Sequence, residues 1–212
     1  KNNCITKGDL FMSKMSKKKV IGITGSMGSG KSEISRYLRK KYPVLDCDQV
    51  NADLLKKGNL GYQKLNDLHI VELDSNGEII KESLASYMFS NVEHRKQVEA
   101  ILHPLIFDEM HKWIHEQESL IVFVEMPILF EISAQEHFDS IWCVVADLDV
   151  ALSRLQTYRN FTREQALARL VSQMNPEEKM AKSDIVLRNN STVEQLHMQI
   201  EDALKEEKLN GD

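Results

Sequence analysis

Eight consecutive residues, Gly25-Ser26-Met27-Gly28-Ser29-Gly30-Lys31-Ser32, set glycines, a lysine and a serine at the spacing G-x-x-x-x-G-K-S. That spacing suits the gripping of phosphate. The glycines let the backbone curl until successive N–H groups point inward as an anion nest. A helix N-terminus beneath the curl adds partial positive charge. Lys31 is then expected to reach the β- and γ-phosphates, and the Ser32 hydroxyl to ligate Mg²⁺. Residues 25–32 are therefore the expected cofactor-binding loop for a nucleoside triphosphate with Mg²⁺.

A loop of this kind needs a strand before it and a helix after it, and both are legible. Residues 20–24 form a short apolar, β-branched run, and apolar residues at helical spacing follow from Glu33. Further strand-like runs lie at 44–45, 120–124 and 141–146. The run at 120–124 is continuous rather than alternating, as in a parallel strand buried on both faces. Helical patterns cover 33–41, 49–57, 92–117, 150–157, 163–174 and 193–208. Thr162 and Gln165 have the spacing of a capping box, Pro176 opens another helix, and Asp74-Ser75-Asn76-Gly77 marks a turn. Met174, Met180 and Met198 read as core filler. Strands alternating with helices predict an α/β fold with a doubly wound parallel sheet of about five strands. In such sheets ligands gather at the carboxyl ends of strands. The phosphate loop, Asp46-Cys47-Asp48 and Glu125 all follow strand-like runs. Asp48 is a carboxylate at that edge, and its plainer reading is that it caps the helix starting at Gln49. Asp46 is read as bracing that turn.

The chain has 212 residues, 42% of them hydrophobic, which suits a single domain at 19–206 with a largely helical insert at 58–115. Residues 1–18 read as a flexible leader. The net charge of −5 argues against general nucleic-acid binding; Lys14, Lys17, Lys18 and Lys19 form a lone basic run, read as a solvated flank. No apolar stretch approaches the roughly 18 residues of a membrane span. The three cysteines, Cys4, Cys47 and Cys143, form no C-x-x-C pair, which points to a reducing, cytoplasmic setting; Cys143 reads as a core residue.

Several separated motifs, in order, resemble one family. They are Ile23-Thr24-Gly25 through Lys31-Ser32, Asp46-Cys47-Asp48, Leu102-His103-Pro104-Leu105-Ile106 and Glu125-Met126-Pro127-Ile128-Leu129-Phe130-Glu131. Thr162 through Ala166, Arg169 with Gln173, and Ser183-Asp184 through Asn189-Asn190 follow. Together, over about 19–200, they are similar to dephospho-coenzyme A kinase, within the P-loop kinases. The resemblance implies a P-loop kinase fold with a helical CoA-side insert and a lid at about 154–174. It implies transfer of the γ-phosphoryl group of ATP to the ribose 3′-hydroxyl of dephospho-CoA, the last step of coenzyme A biosynthesis. The catalytic residues would be Asp48, Lys31, Arg159 and Arg154. Arg169 and Asn189 would join the loop in nucleotide binding; Asp48, His103 and Glu125 would serve the substrate side. A monomer or weak homo-oligomer is expected.

Some positions depart from the family pattern. Glu33 stands where a threonine is usual, Ala52 where arginine or histidine is frequent, Lys81 for an arginine and Ser191 for a glycine. The lid arginine position falls on Tyr158, with Arg159 one residue later. These departures keep two alternatives open: another nucleoside or nucleotide kinase of the same fold, or a nucleotide-binding regulator with weakened catalysis. Glu131 and the His103-Pro104 pair carry plainer readings, a solvated face and a helix interruption.

Overall fold

The computed structural model describes residues 18–209. The leader, apart from Lys18, lies outside those residues, as do Cys4, Lys14 and Lys17. The chain resolves into two compact units. Of the described residues, one unit, the sheet unit, comprises 18–44, Glu118–Phe123 and 127–209; the other, the helical unit, comprises Leu45–Gln117 with Val124–Met126.

Five strands make one sheet: β1 (Lys19–Gly25), β2 (Val44–Asp46), β3 (Ile121–Glu125), β4 (Ser140–Val145) and β5 (Ile185–Arg188), in the order β2-β3-β1-β4-β5. β1 runs parallel to β4, with Ile23 opposite Trp142, and β4 runs parallel to β5. The first strand is thus the central one. The chain runs outward to one edge and then crosses to the other, so its direction of winding reverses beside β1. That switch point is where such sheets bind ligands.

In the sheet unit, α1 (Lys31–Leu38) and α9 (Val193–Leu209) pack on the strands through Ile34, Leu38, Leu196 and Ile200, against Ile21, Ile23, Phe123, Trp142 and Leu187. Trp142 is fully buried and meets Phe123 edge-on at 5.2 Å between ring centroids. A buried polar knot anchors the far end of α9. Trp142 Nε1 donates to Glu207 Oε1 at 2.8 Å, Ser140 Oγ donates to the same oxygen, and Lys19 Nζ lies 2.7 Å from Glu207 Oε2. Burial raises the Glu207 carboxyl, but hydrogen bonds from Lys19, Ser140 and Trp142 outweigh it and hold the group below its ordinary value. This unit also holds α6 (Leu148–Arg159), α7 (Arg163–Val171) and α8 (Pro176–Ala181). The Thr162–Gln165 capping box forms as expected, and Asn175 caps α8 ahead of Pro176.

The helical unit holds α2 (Cys47–Leu54), α3 (Leu60–Asp67), α4 (Lys81–Ser90) and the 25-residue α5 (Val92–Glu116). Its own core is Leu65, Ile70, Leu84, Val98 and Leu102. The turn at 74–77 forms with Asp74 Oδ1 accepting from the Asn76 and Glu78 amides. Pro104 does not interrupt α5: the helix runs through it. Met198 is on the outward side of α9, 66% exposed, rather than in the core. Among the described residues no helix is long and apolar enough to cross a membrane.

Candidate active site

The phosphate loop is built from its glycines outward. Gly25 ends β1 with φ +145°, and a Cβ there would sit 2.2 Å from the Val144 carbonyl oxygen, so the curl begins tight against β4. Gly30, with φ +101°, is the residue before α1, and no side chain caps that helix. The partial positive charge at the start of α1 is therefore left to whatever the loop holds. Lys31 Nζ donates to the carbonyls of Gly25 (2.8 Å) and Ser26 (3.1 Å), which arches the ammonium over the loop. The Ser29 hydroxyl is buried and finds no hydrogen-bond partner among the described residues. A stranded hydroxyl inside such a curl suits an anionic ligand. Ser32 is exposed in the first turn of α1.

The carboxylate of Glu33 is drawn off by Arg36 and by His197 of α9, whose Nε2 lies 3.1 Å away; His197 in turn stacks on Tyr37 at 4.0 Å. The unusual residue after Ser32 therefore has partners of its own along α1 and α9.

Three side chains from elsewhere in the chain also reach the loop's backbone. Gln173 Oε1 accepts from the Met27 amide at 2.9 Å, and Asn189 Nδ2 donates to the Ser29 carbonyl at 2.9 Å. Arg154 faces the carbonyls of Gly28 and Ser29, both at 3.4 Å, and donates to Asn189 Oδ1 at 3.2 Å. Gln173 is two residues past the end of α7, not on one helix face with Arg169. Arg169 lies over the Phe161 ring, 4.6 Å from its centroid. Arg159 is exposed at the end of α6, beside Tyr158, which is 78% exposed. Asn190 closes the turn into α6 with a reciprocal pair to Asp147.

Next to the loop, a cavity of about 400 Å³ is lined by Met27, Ser29, Leu148, Ala151, Leu167 and Leu170, with Gln173 and Asn175 among its polar groups. Its size and apolar walls suit a heteroaromatic base. Pro127 ties β1 to a buried lysine. Its carbonyl accepts from Thr24 Oγ1 (3.0 Å) and from Lys179 Nζ (2.9 Å). Lys179 is completely buried and pairs with Glu131 at 2.8 Å. Glu131 is thus one half of an ion pair rather than a solvated face.

In the helical unit, Asp46 rather than Asp48 caps α2: Asp46 Oδ1 accepts from the amides of Asp48 (2.9 Å) and Gln49 (3.3 Å). The Asp48 carboxylate is exposed in the first helical turn. The Cys47 thiol is pushed up to about 12, first by burial and then by the charges of Asp46, Asp48 and Glu125. Such a thiol stays protonated and unreactive. His103, half-buried on α5, is held below its ordinary value by burial, with Arg95 adding to the effect and Glu99 opposing it. A groove of about 380 Å³ is lined by Leu45, Val50, Leu54, Leu60 and Trp113, with Asp53, Asn59 and Glu109 beside them. Among the described residues no cluster of three or more His, Cys, Asp or Glu side chains is arranged to hold a metal.

A sequence model of the family described as dephospho-CoA kinase matches residues 19–195. The chain belongs to the dephospho-CoA kinase family. It is 34% identical to the dephospho-CoA kinase of Bacillus cereus, over 88% of this chain and 96% of that one. Among solved structures it is similar to TT1252 from Thermus thermophilus, with a TM-score of 0.79 and 32% identity over 90% of this chain and 98% of that one. The dephospho-CoA kinase from Campylobacter jejuni shares the fold at a TM-score of 0.66 and 23% identity, over 92% of this chain and all of that one. Membership of this family makes the chain an α/β kinase of the P-loop type.

Sequence reasoning missed four of these groups in their structural roles. Gln173, Arg154 and Asn189 act on loop backbone, and Lys179 is a buried cation. Each depends on a partner far away in the chain, and no local pattern marks it.

Proposed function

We propose that this protein transfers the γ-phosphoryl group of ATP to the ribose 3′-hydroxyl of dephospho-CoA, giving coenzyme A. The observation that carries the reading is the glycine curl with Lys31 arched across it at the uncapped start of α1, in a chain of this family. The apolar cavity beside the curl is the place for the adenine of ATP. Lys31 and the loop amides offset the charge of the β- and γ-phosphates, and Arg159 on the lid adds to that as charge spreads over the transferring group. Asp48 orients the acceptor hydroxyl and accepts its proton; with a loose transition state, alignment matters more than base strength. Among the described residues the protein offers Mg²⁺ the Ser32 hydroxyl and no cluster of three or more carboxylate, His or Cys side chains. That fits an ion that keeps several waters and is otherwise held by substrate phosphates. When bound, Mg²⁺ would neutralise phosphate charge. The groove of the helical unit, with apolar walls and carboxylates but no cation among its lining residues, suits the uncharged arm of the acceptor rather than its pyrophosphate. His103 and Glu125 support the acceptor side, and Arg169 the nucleotide side.

Incubation with ATP, Mg²⁺ and dephospho-CoA, followed by mass analysis, tests the reading. One added phosphate on dephospho-CoA is expected. Transfer to a nucleoside in preference to dephospho-CoA, or ATP binding with no transfer at all, would overturn it.

A further inference from the structure

We infer that Asn189 is a positioning residue for phosphate binding, which acts on the back of the loop and touches no part of the nucleotide. The inference rests on the reading of the loop as the ATP site and adds to it a residue that fixes the loop's shape.

Asn189 directly follows β5 and is 7% exposed. Its own amide donates to the Val145 carbonyl at 2.8 Å, so its backbone is fixed to the end of β4. Both halves of its carboxamide are engaged by protein: Nδ2 donates to the Ser29 carbonyl at 2.9 Å, and Oδ1 accepts from Arg154 at 3.2 Å. A peptide unit is planar and trans, so its C=O and N–H point in opposite directions. Holding the Ser29 carbonyl from behind therefore turns the Gly30 N–H to the other side of the same peptide, the side away from Asn189. Without that hold the Ser29 carbonyl keeps only the long contact from Arg154, and the Ser29–Gly30 peptide, flanked by a glycine, rotates more easily.

The loop's own sequence supplies an independent sign of the contact. A Cβ on Gly30 would lie 2.0 Å from Asn189 Nδ2. The glycine thus admits the carboxamide as well as the positive φ. Arg154 is the second half of the device. Its contacts to the Gly28 and Ser29 carbonyls, at 3.4 Å, are long for hydrogen bonds, so its firmest partner here is Asn189. The role needs one donor and one acceptor on a short stem. Aspartate would keep the acceptor and set an anionic oxygen against a carbonyl.

The position of Asn189 after the run at 185–187 also suggests a contact with the adenine base, and the two roles separate by ligand. Dissociation constants for ADP and for adenosine should be measured by calorimetry or by competition on wild type, Asn189→Ala and Asn189→Asp, with steady-state kinetics alongside. The Ala variant should weaken ADP at least tenfold and adenosine less than twofold. It should raise KM for ATP by a similar factor and leave KM for the acceptor unchanged; Asp should not rescue. If Asn189→Ala fails to fold, Arg154→Met, which removes the donor to Oδ1 together with the long contacts to the Gly28 and Ser29 carbonyls, should give the same ADP-selective pattern at three- to fivefold. Loss of ADP and adenosine affinity by similar factors would assign Asn189 to the base. An ADP affinity within twofold of wild type would remove it from the site. Either result overturns the inference. A wild-type protein that binds no ADP would instead overturn the nucleotide reading beneath it.

Discussion

Lys31 spends its hydrogen bonds on the carbonyls of Gly25 and Ser26, so its ammonium is held across the loop rather than swinging on a flexible stem. Replacing it removes both the cation and the strap. Lys31→Ala is expected to abolish turnover and to weaken ATP binding, measured by steady-state kinetics and calorimetry. Asp48 predicts the opposite split. With Asp46 doing the capping, Asp48→Asn leaves α2 intact and should cost at least a hundredfold in kcat, about 2.7 kcal/mol, with KM for ATP nearly unchanged. Survival of turnover within tenfold would remove Asp48 from its assigned role. Cys47 makes a third residue-level prediction. Its thiol, pushed up to about 12 and buried, should resist alkylation at pH 8 in the native state; peptide mapping that finds it labelled as fast as a small-molecule thiol would contradict this.

At the level of elements, local spacing decided what the sequence alone could reveal. The strand, loop and helix around residues 19–38 were legible because phosphate gripping needs adjacent residues in fixed order. The capping box at Thr162 and the proline start of α8 were legible for the same reason. Helices α3 and α4 were not legible one by one, and their short patterns merged into a general helical insert. The Asn189 contact was invisible because its partner Ser29 is 160 positions away. Glu131 looked like a surface carboxylate because its partner Lys179, 48 residues on, is a lysine that tertiary packing buries completely. Removing that cation would leave Glu131 and the Pro127 carbonyl short of a partner. Lys179→Ala should therefore destabilise the sheet unit by about 3 kcal/mol, seen as a lower midpoint in urea unfolding. A midpoint equal to wild type would mean that the pair contributes nothing.

Across the whole molecule, the two units carry acid-sensitive groups of different kinds. His103 in the helical unit has a folded-state value below its ordinary 6.5. The unfolded chain therefore takes up that proton first, and the group's contribution to stability, complete above 6.5, is lost as pH falls through its lower folded value. Glu207 in the sheet unit lies below its ordinary 4.5. Its contribution is present above 4.5 and is lost only as pH falls through its own folded value. Mild acidification should thus loosen the helical unit first. Hydrogen exchange at pH 5.5 and 7.5, corrected for intrinsic rates, should show protection lost in α5 and retained in α9. In His103→Gln the pH effect on α5 should shrink.

The chain carries two tryptophans. Trp142 is sealed in the sheet core with its indole N–H on Glu207; Trp113 lines the groove of the helical unit. Each unit is therefore born with its own fluorophore. Trp142→Phe silences one and Trp113→Phe the other, so emission from a single-tryptophan protein follows either unit alone, with no dye attached.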